Sequence, residues 1–184
     1  MCSASMSTAC GPPCNKTIEP VVLKRRKPPA RFAPAANGRF SPNLEPHERQ
    51  FLADLPRQLR ELLDSDDPSL RRLFPTAYHQ DAERDAEFQR LMREDLVARR
   101  TETAKLLERT ATADTLSADD MSMWMNAIND LRLVLGTQLD VSEGMELDEL
   151  EENDPRLPQF AVYGWLSMLL EQIIQALMGQ SGTD

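Results

Sequence analysis

SADDMSMWMNAINDLRLVLGTQLDV, residues 117–141, carries the clearest helical pattern in this 184-residue chain. Trp124, Ile128, Leu131, Leu135 and Leu139 recur at steps of three and four, which places them on one face of an α-helix. Ser117 can cap the first turn with its hydroxyl, and Asp120 can reach back as a shortened capping box. Asn126, Asn129, Asp130 and Arg132 surround the apolar face and invite a reading as an active site. Catalysis would need all four to converge on one pocket, whereas neighbouring helical positions point in different directions. They read instead as a polar network tying helix ends to the adjoining chain.

Upstream, a helix is predicted over residues 45–63, with Pro46 in its tolerant first turn. Phe51, Leu55, Leu59 and Leu62 form its apolar face, and Pro56 is expected to kink it by removing a backbone donor. Asp67 and Pro68 open a short helix through Leu70 and Leu73 that stops before Pro75. A long helix over 81–109 should pack Phe88, Leu91, Met92 and Leu96 in its first half and Leu106 and Leu107 in its second. Its charged middle, residues 93–105, reads as a solvated face with i,i+4 pairs worth about 0.2–0.5 kcal/mol each.

Downstream, residues 142–154 hold seven acids, spaced too irregularly for a calcium loop. They read as a solvated loop able to hold a basic arm. A last helix over 159–178, apolar on most sides, should lie centrally against the Trp124 helix. Residues 160–178 are almost long enough to span a membrane, but Gly164, Ser167, Glu171 and Gln175 stripe them with polarity. A buried helix in a cytoplasmic protein is the expectation, with no membrane partner.

The composition is 41% hydrophobic and only 5% aromatic, which suits one helical domain and argues against a large sheet. The expected fold is mainly α: a single helical domain of four to five helices with a short N-terminal β-hairpin, preceded by a disordered basic arm. Residues 17–23 and 38–40 are the candidate strands. The division is a flexible extension over 1–37, a helical body over 38–178 and a disordered tail over 179–184.

Charge is unevenly distributed. Residues 1–40 carry seven Lys and Arg against one acid, a net +6, while the remainder carries 14 basic and 29 acidic residues, a net −15. Such an arm can reach DNA, an acidic partner or the body itself. The three cysteines, Cys2, Cys10 and Cys14, all precede residue 15, so they do not staple a core. Cys10 and Cys14 form a C-x3-C pair around Gly11-Pro12-Pro13, a turn that can bring its ends within disulfide range. Lys16 nearby favours thiolate, and Cys2 offers a further resolving thiol. Incidental thiols in a tail remain the alternative.

Glycine-rich phosphate loops, G-x-S-x-G elbows and H-E-x-x-H pairs are absent from the sequence, and His47 and His79 read as surface residues. No catalytic residue, metal ligand or cofactor is assigned, and an enzyme is not expected.

Three motifs carry a resemblance. They are Asp67-Pro-Ser-Leu-Arg-Arg-Leu-Phe-Pro-Thr-Ala-Tyr78, Asn129-Asp-Leu-Arg-Leu-Val-Leu-Gly-Thr137 and Val162-Tyr-Gly-Trp-Leu166. In this order, across residues 38–178, they resemble the actinobacterial AosR-like family of oxidative-stress transcription regulators. That resemblance implies a cytoplasmic regulator that responds to oxidants through a C-x3-C disulfide, here Cys10 with Cys14, and acts on transcription with a sigma factor. A helix-turn-helix is not legible, because Pro75 interrupts the short helix before a recognition helix can follow. Direct DNA contact would instead use Lys24, Arg25, Arg26, Lys27, Arg31 and Arg39 on phosphates. Expected partners are promoter DNA, an RNA polymerase sigma factor or both, with a homo-oligomer left open. The competing reading is a non-redox α-helical adaptor for another protein.

Overall fold

Ser117 caps the central helix as its sequence predicts. Its hydroxyl accepts from the Asp120 backbone N–H at 3.0 Å, and the Asp120 carboxylate accepts from the Ser117 N–H at 2.9 Å. The chain is seen here in a computed structural model that describes residues 30–142 and 153–180. In order, it forms β1 (Phe32–Pro34), a 3-10 turn (Ala36–Gly38), β2 (Phe40–Pro42), α1 (Pro46–Leu63) and a second 3-10 turn (Pro68–Arg72). Helices α2 (Ala82–Thr110), α3 (Ala118–Gln138) and α4 (Leu157–Gln180) follow. The expected mainly α fold with a small N-terminal hairpin is what forms.

Helix α3 is the hub. It buries Met121, Trp124, Ala127, Ile128, Leu131 and Val134, a wider arc than one amphipathic stripe, because α2, α4 and the Pro68–Arg72 turn pack around it. Trp124 is fully buried and its indole N–H donates to the Thr110 hydroxyl at 2.8 Å, so its polar atom is satisfied inside the core. Helix α4 presses close at Gly136, where a Cβ would meet the Tyr163 ring at 2.9 Å.

Helix α1 begins with Glu45 as N-cap, Glu48 completing a capping box, and Pro46 in the first turn. Its buried residues are Leu52, Pro56, Leu59 and Leu63, not the expected stripe of Phe51, Leu55, Leu59 and Leu62. The two stripes are adjacent and share Leu59; the helix has a broad apolar arc, and tertiary packing buries the neighbouring edge of it.

Two further expectations are corrected. The first half of α2 packs only in part: Phe88 and Leu96 are half-buried, but Leu91 is 61% exposed and Met92 is also exposed, and the buried residues of this helix are Ala104, Leu106 and Leu107. The contacts of this half are mostly polar or edge-on: Tyr78 meets Phe88 edge-on, Arg84 lies over the Tyr78 ring, Arg93 lies over the Phe74 ring, and Gln89 donates to the Pro75 carbonyl at 3.0 Å. Helix α4 packs on α3 as expected, yet it is not central. Phe160, Leu166, Leu169 and Ile173 are buried, while Ile174 and Met178 are exposed. By length and apolar composition alone α4 could cross a membrane, and the shallow burial leaves much of its apolar surface open.

The hairpin also differs in its strands. Phe40 lies in β2 as expected, but its partner strand is Phe32–Pro34, paired antiparallel with Phe32 opposite Pro42 and Pro34 opposite Phe40. Residues 17–23, the expected first strand, lie outside the described residues. Asn37 (φ 58°) and Gly38 (φ 66°) turn the chain in the left-handed region, where asparagine and glycine are the tolerant residues. Phe32, from the stretch read as arm, is buried and meets the Trp124 ring edge-on at 6.1 Å.

Candidate functional site

Of the residues assigned from sequence, Cys10, Cys14, Lys24, Arg25, Arg26 and Lys27 lie outside the described residues, as do most of the acids in 142–154. Arg31 and Arg39 are described, and both have partners within the fold. Arg39 donates from Nε to the Thr115 hydroxyl at 2.8 Å and from Nη2 to the Thr115 carbonyl at 2.9 Å. Arg31 donates from Nη1 to Glu48 Oε1 at 2.5 Å.

Glu48 is the point where the chain enters the body. The same Oε1 accepts from the Trp165 indole at 3.1 Å, and Oε2 accepts from the Glu45 backbone N–H at 2.9 Å. Burial alone would raise the carboxyl pKa; the Glu45 N–H, Arg31 and Trp165 together hold it below its ordinary value. One carboxylate thus fixes the N-terminal arm, the first turn of α1 and the middle of α4. Sequence reading missed Glu48 and Trp165 in this role, although the spacing of Glu45 and Glu48 at a helix start was a signal for the cap.

Beside this junction lies an apolar groove of about 320 Å³. Phe51, Leu55 and Leu62 of α1 form one wall and Val162 and Leu166 of α4 the other, with Leu131 and Leu135 of α3 between them. The groove exists because α1 packs chiefly against α2 and α4 against α3, with the Trp165 ring 5.7 Å from that of Phe51 at one end. Phe51 stays 38% exposed as a result.

The polar group on α3 divides in two. Asn126, Asn129 and Asp130, at i, i+3 and i+4, line a shallow recess with Arg99, Arg100 and Thr103 of α2. Arg132 points elsewhere, donating to the Tyr163 hydroxyl at 3.2 Å and back to Asn129 Oδ1 at 3.3 Å. The four do not share one pocket, but three of them share one face. Asp130 pairs with Arg100, whose Nη2 donates to the Leu73 carbonyl at 2.8 Å, so the pair ties α2, α3 and the end of the Pro68–Arg72 turn together. Burial raises the Asp130 pKa, against the opposing hydrogen bond and charge of Arg100. This is the tying network that the sequence suggested, built with an arginine from a different helix.

The sequence matches the family described as Domain of unknown function (DUF2017) over residues 29–177, beginning one residue before the described body. It is 30% identical to proteins named Oxidative stress regulator AosR from Mycobacterium bovis and Mycobacterium tuberculosis, covering 95% of this chain and 99% of each relative. A protein named Putative oxidative stress regulator AosR from Mycobacterium leprae is 28% identical over 94% of this chain and 99% of its own length. No solved structure matches the chain significantly. The motifs around Phe74, Asp130 and Trp165 converge on α3 and its neighbours, and the chain they belong to is a member of the DUF2017 family, among its AosR-like oxidative-stress regulators.

Proposed function

We propose that this chain regulates transcription under oxidative stress, sensing oxidants through Cys10 and Cys14 and acting in the cytoplasm on promoter DNA, a sigma factor or both. The likeness to proteins named oxidative stress regulators over 95% of the chain carries the reading. The chemistry needs only the two thiols and a peroxide. One thiolate attacks a peroxide oxygen, forming a sulfenic acid as water leaves; the second attacks the sulfenic sulfur, closing the S–S bond and releasing another water. The peroxide takes up the two electrons that the thiols lose. A loop this small contributes little to global stability, so its effect is local, on the basic cluster Lys24, Arg25, Arg26 and Lys27 that follows ten residues later. Arg31 on Glu48 then relays that change to the body.

The test compares binding to a candidate promoter and sigma factor under reducing and oxidising conditions for wild type and Cys14→Ser. Oxidant should change wild-type affinity at least several-fold and leave Cys14→Ser unaltered. Equal responses would sink the redox reading and leave a non-redox α-helical adaptor.

A further inference from the structure

Helix α1 has more apolar surface than its packing uses. Leu52, Leu59 and Leu63 are buried, while the half-buried Leu55 and Leu62 and the 38%-exposed Phe51 line the groove. Phe51 marks the end of that groove nearest the start of α1, one helical turn beyond Glu48. Glu48 holds Arg31, so the first 29 residues join the body beside the groove.

Those residues contain one run of large aliphatic side chains, Ile18, Val21, Val22 and Leu23. Eight residues connect Val22 to Ala30, a reach of at most about 27 Å. The α1 wall from Phe51 to Leu62 is about 17 Å long, shorter than that reach. Charge agrees with apolarity. The far end of the groove is framed by Gln138 and Pro158, which flank the segment carrying seven acids, and Lys24, Arg25, Arg26 and Lys27 adjoin the aliphatic run. An apolar segment tethered next to an apolar groove also has an effective concentration that no free partner matches, in the millimolar range for short linkers.

We propose that residues 18–23 of this same chain occupy the groove, with Val22 and Leu23 against Leu55, Leu135 and Val162 and the basic cluster turned towards the acidic segment. Docking sequesters the apolar α1 and α4 walls and holds the basic cluster against the body. The inference goes beyond the redox reading and does not depend on it.

The test uses the full chain with Cys2→Ser, Cys10→Ser and Cys14→Ser, so its outcome is independent of the native thiols. Val22→Cys is combined either with Leu55→Cys, in the groove, or with Arg57→Cys, exposed on the opposite face of α1. Far-UV circular dichroism checks the fold, and Val162→Cys replaces Leu55→Cys if that variant unfolds. Mild oxidation of dilute protein, read by intact mass after thiol alkylation, should give an intramolecular link several-fold faster with the groove thiol. Equal rates, or a faster link to the more exposed Arg57→Cys thiol, would overturn the proposal. A link forming chiefly between molecules would overturn it too, and assign the groove to a second copy.

Discussion

Asp130 is an acid that the fold holds at 4% exposure, paired with Arg100. Because burial raises its pKa above the ordinary 3.8, the folded state binds this proton more tightly than the unfolded chain does. The stability contributed by this group is therefore full at low pH and is lost as pH rises through the ordinary value towards the raised one. At neutral pH the ionised carboxylate depends on Arg100. Replacing Arg100→Met should cost about 3 kcal/mol at pH 7, the low end for a broken buried pair because Arg100 is only partly buried. In urea titrations that deficit should shrink as pH is lowered, because protonating Asp130 removes the charge that has lost its partner. A deficit independent of pH would mean that lost packing, not the stranded charge, is responsible. Residue roles of this kind are poorly legible in sequence. Arg49 donates to the carbonyls of Leu44 and Ala113 at 3.1 and 2.8 Å and also to that of Pro42, and Arg72 donates to the Val141 carbonyl at 2.6 Å. Nothing in the sequence separates these clamps from Arg57, which lies on an exposed face, because their carbonyl partners exist only after the elements have packed.

At the scale of elements, the two helix glycines near the α3–α4 contact should respond in opposite directions. Alanine in place of glycine inside a helix ordinarily gains about 1 kcal/mol. At Gly164 a Cβ meets nothing within 4 Å, so Gly164→Ala should show that gain. At Gly136 the same Cβ would press on the Tyr163 ring at 2.9 Å, and overpacking of this kind costs about 1–3 kcal/mol. Gly136→Ala should therefore lose stability by about 1 kcal/mol in a denaturant titration, as the clash outweighs the propensity. A gain at both sites would show that α4 shifts freely. Element starts were legible, because their signals are local: Ser117 is the N-cap its sequence predicts, and the helices expected from residues 45 and 81 begin just after those positions. Faces were less legible. Residues 51, 55, 59, 62 and residues 52, 56, 59, 63 both fit a helical period, and the positions of the neighbouring helices, α2 above all, decide which set is buried. The exposure of Leu91 and Met92 has the same origin, since they repeat like core residues but lie on the side of α2 that no neighbouring element covers among the described residues.

Across the whole molecule, long-range ties make the hairpin part of the helical core. Phe40 has no exposed surface, and its backbone exchanges two 2.8 Å hydrogen bonds with Leu116 in the connection between α2 and α3. Phe32 touches Trp124, and Glu48 joins Arg31 to Trp165. Sequence reading found the helical body but started it at residue 38, because Phe32 sits among prolines and basic residues whose pattern carries no period. Its burial depends on Trp124, some ninety residues away. These ties predict one cooperative transition. Tryptophan fluorescence reports the hairpin contact at Trp124 and the α1–α4 junction at Trp165, whereas far-UV circular dichroism reports the helices. The two midpoints should coincide in urea. Phe40→Ala should cost about 3–5 kcal/mol and lower both midpoints together. A hairpin that folded as an appendage would give a different result, a fluorescence midpoint that falls while the helical midpoint stays in place.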